Sequence, residues 1–489
     1  MKNEKLQDAI GMIGDDLIER AKNDKKPSRV QRWLVVAACF AVVVLVSVII
    51  YARNPGGDKL PDIPTKTDKP IQSAPDFGDT IPPLAYGLYP ARVKYVVPGA
   101  SDNWRYYYEE WLNDKRNYTK PYKEAEIDIN DYMVKLMNTF FSEAKGNTVF
   151  SPINVYIALS MLAEISDTEG RNEIFSLLDV GSIDELRERC KIMWNAHYYN
   201  DGVTTSILSN SLWLDDSKKY DQIMLNNLTE NYFASVFAGE MGSDKMNNTI
   251  RQWIYEKTEG KLDMYGQNIK TEPETIMALV STLYFKAGWE LAFSEENTKE
   301  GYFYNGSSKM ICDFMNSERK VVYFWGDKFS AVELPLRNGC SMNIFLPDED
   351  IDVNALISDT QFLSAALMPI NYRNKGNYNV NITLPKFDAS SETDMIDGLK
   401  KLGVTQVFDH LNPEYDLFNA YVDEVKHAAR VSIDEEGCEG AAYTDIVAPE
   451  YGLPANPDQV VQFNVNRPFL FVITSAVGAP LFTGVVYEV

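Results

Sequence analysis

The hydrophobic and polar positions divide the chain into stretches of different period. Trp33 to Tyr51, WLVVAACFAVVVLVSVIIY, is an uncharged apolar run of 19 residues. At ~1.5 Å per residue a helix of that length reaches about 28 Å, close to the hydrocarbon thickness of a bilayer. Lys25, Lys26, Arg29 and Arg32 precede it, and only Arg53 and Lys59 follow closely. That bias predicts a transmembrane helix at 33–51, a cytoplasmic segment at 1–32 and an extracytoplasmic remainder. A cleaved leader fits poorly, since the segment before the run is long and no small-residue site follows it.

From 52 to 98 the periodicity gives way to Pro, Gly, Asp and Lys, which reads as a semi-extended spacer. Residues 99–126 mix Trp104, Tyr106, Tyr107, Tyr108 and Trp111 with charges and leave two readings, an adhesive segment or a packed extension. Helical spacing returns near 129–144 and 152–165, the second opened by Ser151 and Pro152, a cap and a first-turn proline. β-rich runs such as TLYFKAGWELAF and VNITLPKF then mix with helices without regular βαβ alternation, and no second linker or repeat interrupts 127–489. This predicts one α+β domain.

Residues 433–451, IDEEGCEGAAYTDIVAPEY, stand apart. At period two from Cys438, one face carries Cys438, Gly440, Ala442, Thr444, Ile446 and Ala448; the other carries Glu439, Ala441, Tyr443, Asp445 and Val447. Nothing on the first face is too large or too charged to bury, so the strip suits entry into a sheet as an added strand. Glu435, Glu436, Glu439 and Asp445 read as solubilising charges. Pro449, Pro454 and Pro457 rule out a regular strand interior beyond, which leaves an exposed loop. By composition alone, a flexible Gly/Ala linker is the rival reading.

The 489 residues are 45% hydrophobic, enough for one large core or two ordinary ones. A net charge of -23 argues against nucleic acid as a partner. The five cysteines (Cys39, Cys190, Cys312, Cys340, Cys438) have no metal spacing. Free thiols are expected, the one pairing weighed being Cys312 with Cys340. Three histidines (His197, His410, His427), with no Gly-x-Ser-x-Gly, HExxH or phosphate loop, leave no catalytic set, and no cofactor is expected. A surface adhesin is the rival that the anchor and spacer would equally suit.

Several segments, in one order across the domain, resemble the serpin family of serine protease inhibitors. Glu435 to Thr444 is similar to the family's hinge, Glu-Glu-Gly-Thr-Glu-Ala-Ala-Ala-Ala-Thr, and His427 stands ten residues before Gly437 as in the family. NTVFSPINVYIALSMLAE at 147–164, NNTIRQWIYEKTEGKLDM at 247–264 and VSTLYFKAGWELAF at 280–293 resemble further family elements. So do SMNIFLP, LPKFD, LKKLGVTQVF and the closing FNVNRPFLFVITSAVGAPLFTGVVYEV.

The resemblance implies three β-sheets, eight or nine helices and an exposed reactive loop on a metastable monomer. It implies a suicide inhibitor: a target serine protease cleaves the loop, is held as an acyl-enzyme, and is distorted as the hinge inserts. The hinge would comprise Glu436, Gly437, Cys438, Glu439, Gly440, Ala441, Ala442, Tyr443 and Thr444. Cys438, Gly440 and Tyr443 depart from the usual Thr, Ala and small residue there. Ser151, Asn154, Ser281 and His427 match the polar group that controls sheet opening, with the usual Ser and Asn exchanged between 154 and 281, and Trp289 matches the aromatic at its mouth. Counting fourteen residues beyond Gly437 places the reactive bond at Tyr451 and Gly452, a register suited to a chymotrypsin-type enzyme. A shift to Glu450 or Leu453 stays open, as does elastase-type cleavage near Val447 and Ala448. The anchor and its basic flank suit a bacterial surface protein, and a non-inhibitory member of the family is the alternative.

Overall fold

The computed structural model describes residues 76–96 and 103–489 apart from 143, 145, 307, 370–371, 410–421, 423 and 439–454. The apolar run 33–51, the hinge beyond Cys438 and the Tyr451–Gly452 bond lie outside the described residues. Among the described residues no helix is long and apolar enough to cross a membrane.

The helix Pro152–Ile165 is buried at every position. Its apolar residues lie all round rather than in one stripe, with Asn154, Ser160 and Glu164 as the buried polar exceptions, as suits a helix at the centre of a core. Ser151 opens it: its hydroxyl accepts from the Asn154 N–H at 3.4 Å, and Pro152 takes the first turn, where a missing N–H costs nothing.

Strands are numbered along the chain. One eight-stranded sheet runs β1 (Ala85–Tyr86), β5 (Ser235–Gly239), β4 (Thr204–Asp215), β6 (Met277–Gly288), β14 (Gly437–Cys438), β13 (Glu424–Ile433) and β12 (Phe387–Asp394), with β3 (Tyr199–Asn200) beside β4. A nine-stranded sheet runs β15 (Ala455–Asn464), β11 (Lys375–Pro385), β8 (Ser308–Trp325), β9 (Phe329–Pro335), β10 (Ser341–Pro347), β16 (Phe469–Thr474), β17 (Pro480–Val486) and β2 (Thr148–Phe150), with β7 (Lys299–Asn305) beside β8.

Both faces of the first sheet are covered. Leu279, Leu283, Phe285 and Ala287 of β6 join the main core with the helix Pro152–Ile165, whereas Ala278 and Val280 join a second cluster with Trp213 and with Ile250 and Trp253 of the helix Asp244–Lys257. β6 therefore shows no polar-out alternation. The α+β class is as expected, but two of the three sheets implied by the resemblance are continuous here, because the 18-residue β8 pairs with β7, β11 and β9 in turn. Eleven α-helices occur among the described residues, the count exceeding eight or nine partly through short turns such as Asp263–Gly266 and partly through a helix ahead of the domain.

In that helix, Trp104–Glu124, Trp111, Tyr118 and Tyr122 form one buried stripe. Residues 76–96 belong to the same compact unit as the described residues that follow. The Leu84 N–H donates to the Val236 carbonyl at 2.7 Å, β1 adds to the β5 edge, and Arg92 donates to the Asn195 and Tyr198 carbonyls. Among the described residues no disulfide forms, so Cys312 and Cys340 are not paired.

Candidate functional site

β6 and β13 are parallel and pair from Glu424 with Ala278 to Ala429 with Leu283. Beyond that they part, and β14 fills the wedge. Gly437 pairs with Gly288 and Cys438 with Ala287 on β6, while Cys438 also pairs with Ile433 on β13. Gly437 and Cys438 are thus already a strand of the sheet, and Cys438 is 1% exposed.

Only glycine fits at 437. Its φ is +154°, and a Cβ there would lie 2.6 Å from the Gly288 Cα and nearer still to the Ala287 carbonyl oxygen. Gly437→Ala is therefore expected to expel β14 against about 1–3 kcal/mol of strain. The measurement is thiol labelling followed by intact mass: Cys438 becomes a fast-reacting thiol in the variant, and an unchanged labelling rate would contradict the close packing.

The turn before β14 is clamped. The Asp434 carboxylate accepts from the N–H groups of Glu436 and Gly437, and the Asp434 and Glu436 carbonyls accept from the Trp289 indole and backbone N–H, each at 2.9 Å. The Glu435 carboxylate accepts from the Thr298 hydroxyl at 2.6 Å and pairs with Lys386 at 3.1 Å. Burial alone would raise the Glu435 carboxyl; the hydroxyl, its own backbone N–H and the Lys386 ammonium outweigh burial and hold it below the usual carboxylate value. Glu435 is 7% exposed, so its expected role as a solubilising charge is corrected: it is a buried anchor.

Below the wedge the structure brings Ser151, Asn154, Ser281 and His427 together. The Asn154 amide donates to the Ser281 hydroxyl and to the Thr282 carbonyl, both at 2.7 Å, and its own oxygen accepts from the Asn210 amide at 3.2 Å. His427 sits opposite Ser281, and its Nε2 accepts from the Ser151 N–H at 3.0 Å. The ring is therefore neutral with its proton on Nδ1, which finds no acceptor among the described residues. Burial pushes the His427 pKa down to about 3, and pushes His197 down to about 4 despite its hydrogen bond to the Met193 carbonyl. Trp289 closes the upper end, over the turn at Asp434.

These shifts set a pH dependence. Both imidazoles bind protons more weakly in the native than in the unfolded chain, whose histidines titrate near ~6.5. Their contribution is complete above that value and is lost as pH falls towards 4 and 3. At pH 5 each accounts for about 2 kcal/mol of lost stability. The stability difference between wild type and His427→Asn, read from denaturant midpoints, should narrow by that amount between pH 7 and 5; a constant difference would contradict a neutral buried His427.

The site is a central sheet with a wedge between two parallel strands, filled at its top by Gly437 and Cys438, from which the chain returns to the second sheet at β15. The chain belongs to the serpin family: the family model for Serpin (serine protease inhibitor) matches residues 128–489. That is a family of protease inhibitors rather than of enzymes. It is similar to Iripin-2 of Ixodes ricinus, 28% identical over 367 residues, 70% of this chain and 88% of that protein. It is also similar to Serpin-ZX of Arabidopsis thaliana, 27% identical over 365 residues, 70% of this chain and 92% of that protein. Among solved structures, the thermophilic serpin tengpin in its native state superposes with a TM-score of 0.64 at 26% identity, covering 74% of this chain and 95% of that one. Human thyroxine-binding globulin shares the fold, with a TM-score of 0.63 at 21% identity over 73% of this chain and 96% of that one.

Sequence reading missed Asp434, Thr298 and Lys386 around the hinge and Asn210 and Thr282 in the polar group. Asp434, in an Asp-Glu-Glu-Gly run, carried a turn signal that points to its clamp; Lys386 lay in the LPKFD segment without a sign of its partner, and Thr298 carried no signal.

Proposed function

We propose that the chain is an extracytoplasmic suicide inhibitor of serine proteases of chymotrypsin or elastase type, held on a bacterial cell surface by the helix at 33–51. The observation that carries inhibition is β14: the first hinge residues lie between β6 and β13 with Cys438 facing inward, and small residues follow at the same parity. In this reading Ser151, Asn154, Ser281 and His427 hold β6 to β13 until cleavage, with Trp289 at the mouth, and the cleaved hinge from Glu436 to Thr444 replaces that pairing. Tyr451–Gly452 is the proposed reactive bond. The tether is supported by the apolar run and its basic flank, and the bacterial setting by that pattern alone.

The rival is a non-inhibitory surface protein on the same fold. It draws on Gly440 and Tyr443, which depart from the family's hinge, and on a neighbour named for binding thyroxine. The deciding experiment is incubation with chymotrypsin and with an elastase, followed by denaturing gel and intact mass. An SDS-stable complex with release of a C-terminal peptide beginning at Gly452 is expected. Clean cleavage with no complex and no gain in heat resistance would overturn loop insertion and favour the rival.

A further inference from the structure

We propose that Tyr323, Trp325 and Tyr378 form an aromatic docking platform for the body of the target protease, beside the point where the reactive loop rejoins the fold. The inference rests on the protease-inhibitor reading and adds to it a recognition surface outside the loop.

The rings lie on neighbouring strands. Tyr323 and Trp325 are two apart on β8 and share one face, while Tyr378 reaches them from β11. Tyr323 stacks on Trp325 with ring centres 6.1 Å apart and planes at 20°, and Tyr378 meets Trp325 edge-on at 5.9 Å and 88°. Trp325 is 39% exposed, whereas Trp111, Trp194, Trp213, Trp253 and Trp289 are all buried. The Trp325 backbone is fixed on both sides: its N–H donates to the Asn374 carbonyl at 3.2 Å and its carbonyl accepts from the Tyr372 hydroxyl at 3.3 Å. The exposed indole N–H has no partner among the described residues. A fixed, half-open cluster of Trp and Tyr with a spare donor is the composition that protein interfaces use at their centres.

Its place in the fold says which protein. β15 begins at Ala455, directly after the reactive loop, and pairs with β11 at Asn377, the residue before Tyr378. Gly376 on β11 pairs in turn with Tyr323. The platform is therefore within about two strand spacings, roughly 10 Å, of the backbone where the loop ends. A protease that holds the loop a few residues upstream, at Tyr451–Gly452, must bring its own surface over this end of the sheet. An aromatic platform there adds contact that a free loop peptide cannot supply, and it acts on the rate of encounter and cleavage rather than on insertion.

The test uses the full chain in mild detergent and whichever of chymotrypsin and an elastase cleaves its loop faster. The second-order rate of loop cleavage is measured by intact mass for wild type, for the double variant Trp325→Ala/Tyr378→Ala and for Trp325→Phe. A synthetic peptide spanning residues 444–458 gives the platform-free baseline. Expected are a drop of about tenfold in the double variant, little change in Trp325→Phe, and an unchanged fraction of cleaved chains ending as complex. Equal rates in wild type and double variant overturn the platform. Where the double variant fails to fold, hydrogen exchange of wild type bound to the same protease with its catalytic serine replaced by alanine decides instead: slowed exchange at Tyr323–Trp325 supports the platform, and unchanged exchange overturns it. Because cleavage rate and binding are read separately from trapping, a chain that is cleaved but forms no complex and gains no heat resistance refutes the inhibitor reading while still reporting on the platform.

Discussion

Glu435→Lys should unseat the hinge turn and lower the stability of the native state by about 3 kcal/mol. The wild-type carboxylate is buried, accepts from Thr298 and pairs with Lys386. Reversing its sign places two ammonium groups together and leaves the Thr298 hydroxyl without its acceptor. The damage spreads because this turn also presents the carbonyls that hold Trp289 and seats Gly437 against Gly288. With the turn gone, β14 leaves the wedge and the upper parts of β6 and β13 become unpaired edges, which invite a strand from another chain. The first denaturant transition should shift to lower concentration, and warming should give concentration-dependent association by light scattering. Adding Lys386→Glu should restore only part of the loss, because a lysine at 435 cannot accept from Thr298. Wild-type behaviour in Glu435→Lys would show that the ion pair does not hold the turn.

Glu435 also shows why part of this site was hidden in the sequence. An acid among Gly and Ala reads as a wet charge, and what buries it comes from Thr298 and Lys386, distant in sequence, with nothing in either segment that names Glu435 as the partner. Asn154 and Ser281 were easier to place, since each lies in a segment that resembles a family element, yet the direct bond between them needed the packing of the helix Pro152–Ile165 on β6. That helix itself was legible to its ends, because a Ser-Pro start and a largely apolar run are local signals. The stretch 76–96 was not: it attaches through a two-residue edge strand and through isolated side chains such as Tyr89 and Arg92, which leave no side-chain period to read. The stripe Trp111, Tyr118 and Tyr122 did carry a helical signal, masked by the charges and tyrosines around it.

Parity within the hinge carries the other large prediction. Cys438 faces inward between β6 and β13, so in an extended insert Gly440, Ala442 and Thr444 follow it into the sheet while Ala441 and Tyr443 face away. Ala442→Arg would bury a guanidinium with no carboxylate to meet it, at a cost of several kcal/mol. Insertion competes with hydrolysis of the acyl-enzyme, and every ~1.4 kcal/mol is a factor of ten. The yield of SDS-stable complex should fall at least about a hundredfold, with loop cleavage intact and the cleaved form no longer resistant to heat. Tyr443→Arg, one residue on, should trap protease almost as wild type does, since its side chain stays in water. Equal trapping by the two variants would mean that the strip does not enter the sheet with Cys438's parity. Loss in both would point to a hinge that tolerates no added bulk, and in either case the proposed insertion, and not the loop sequence alone, would need a different account.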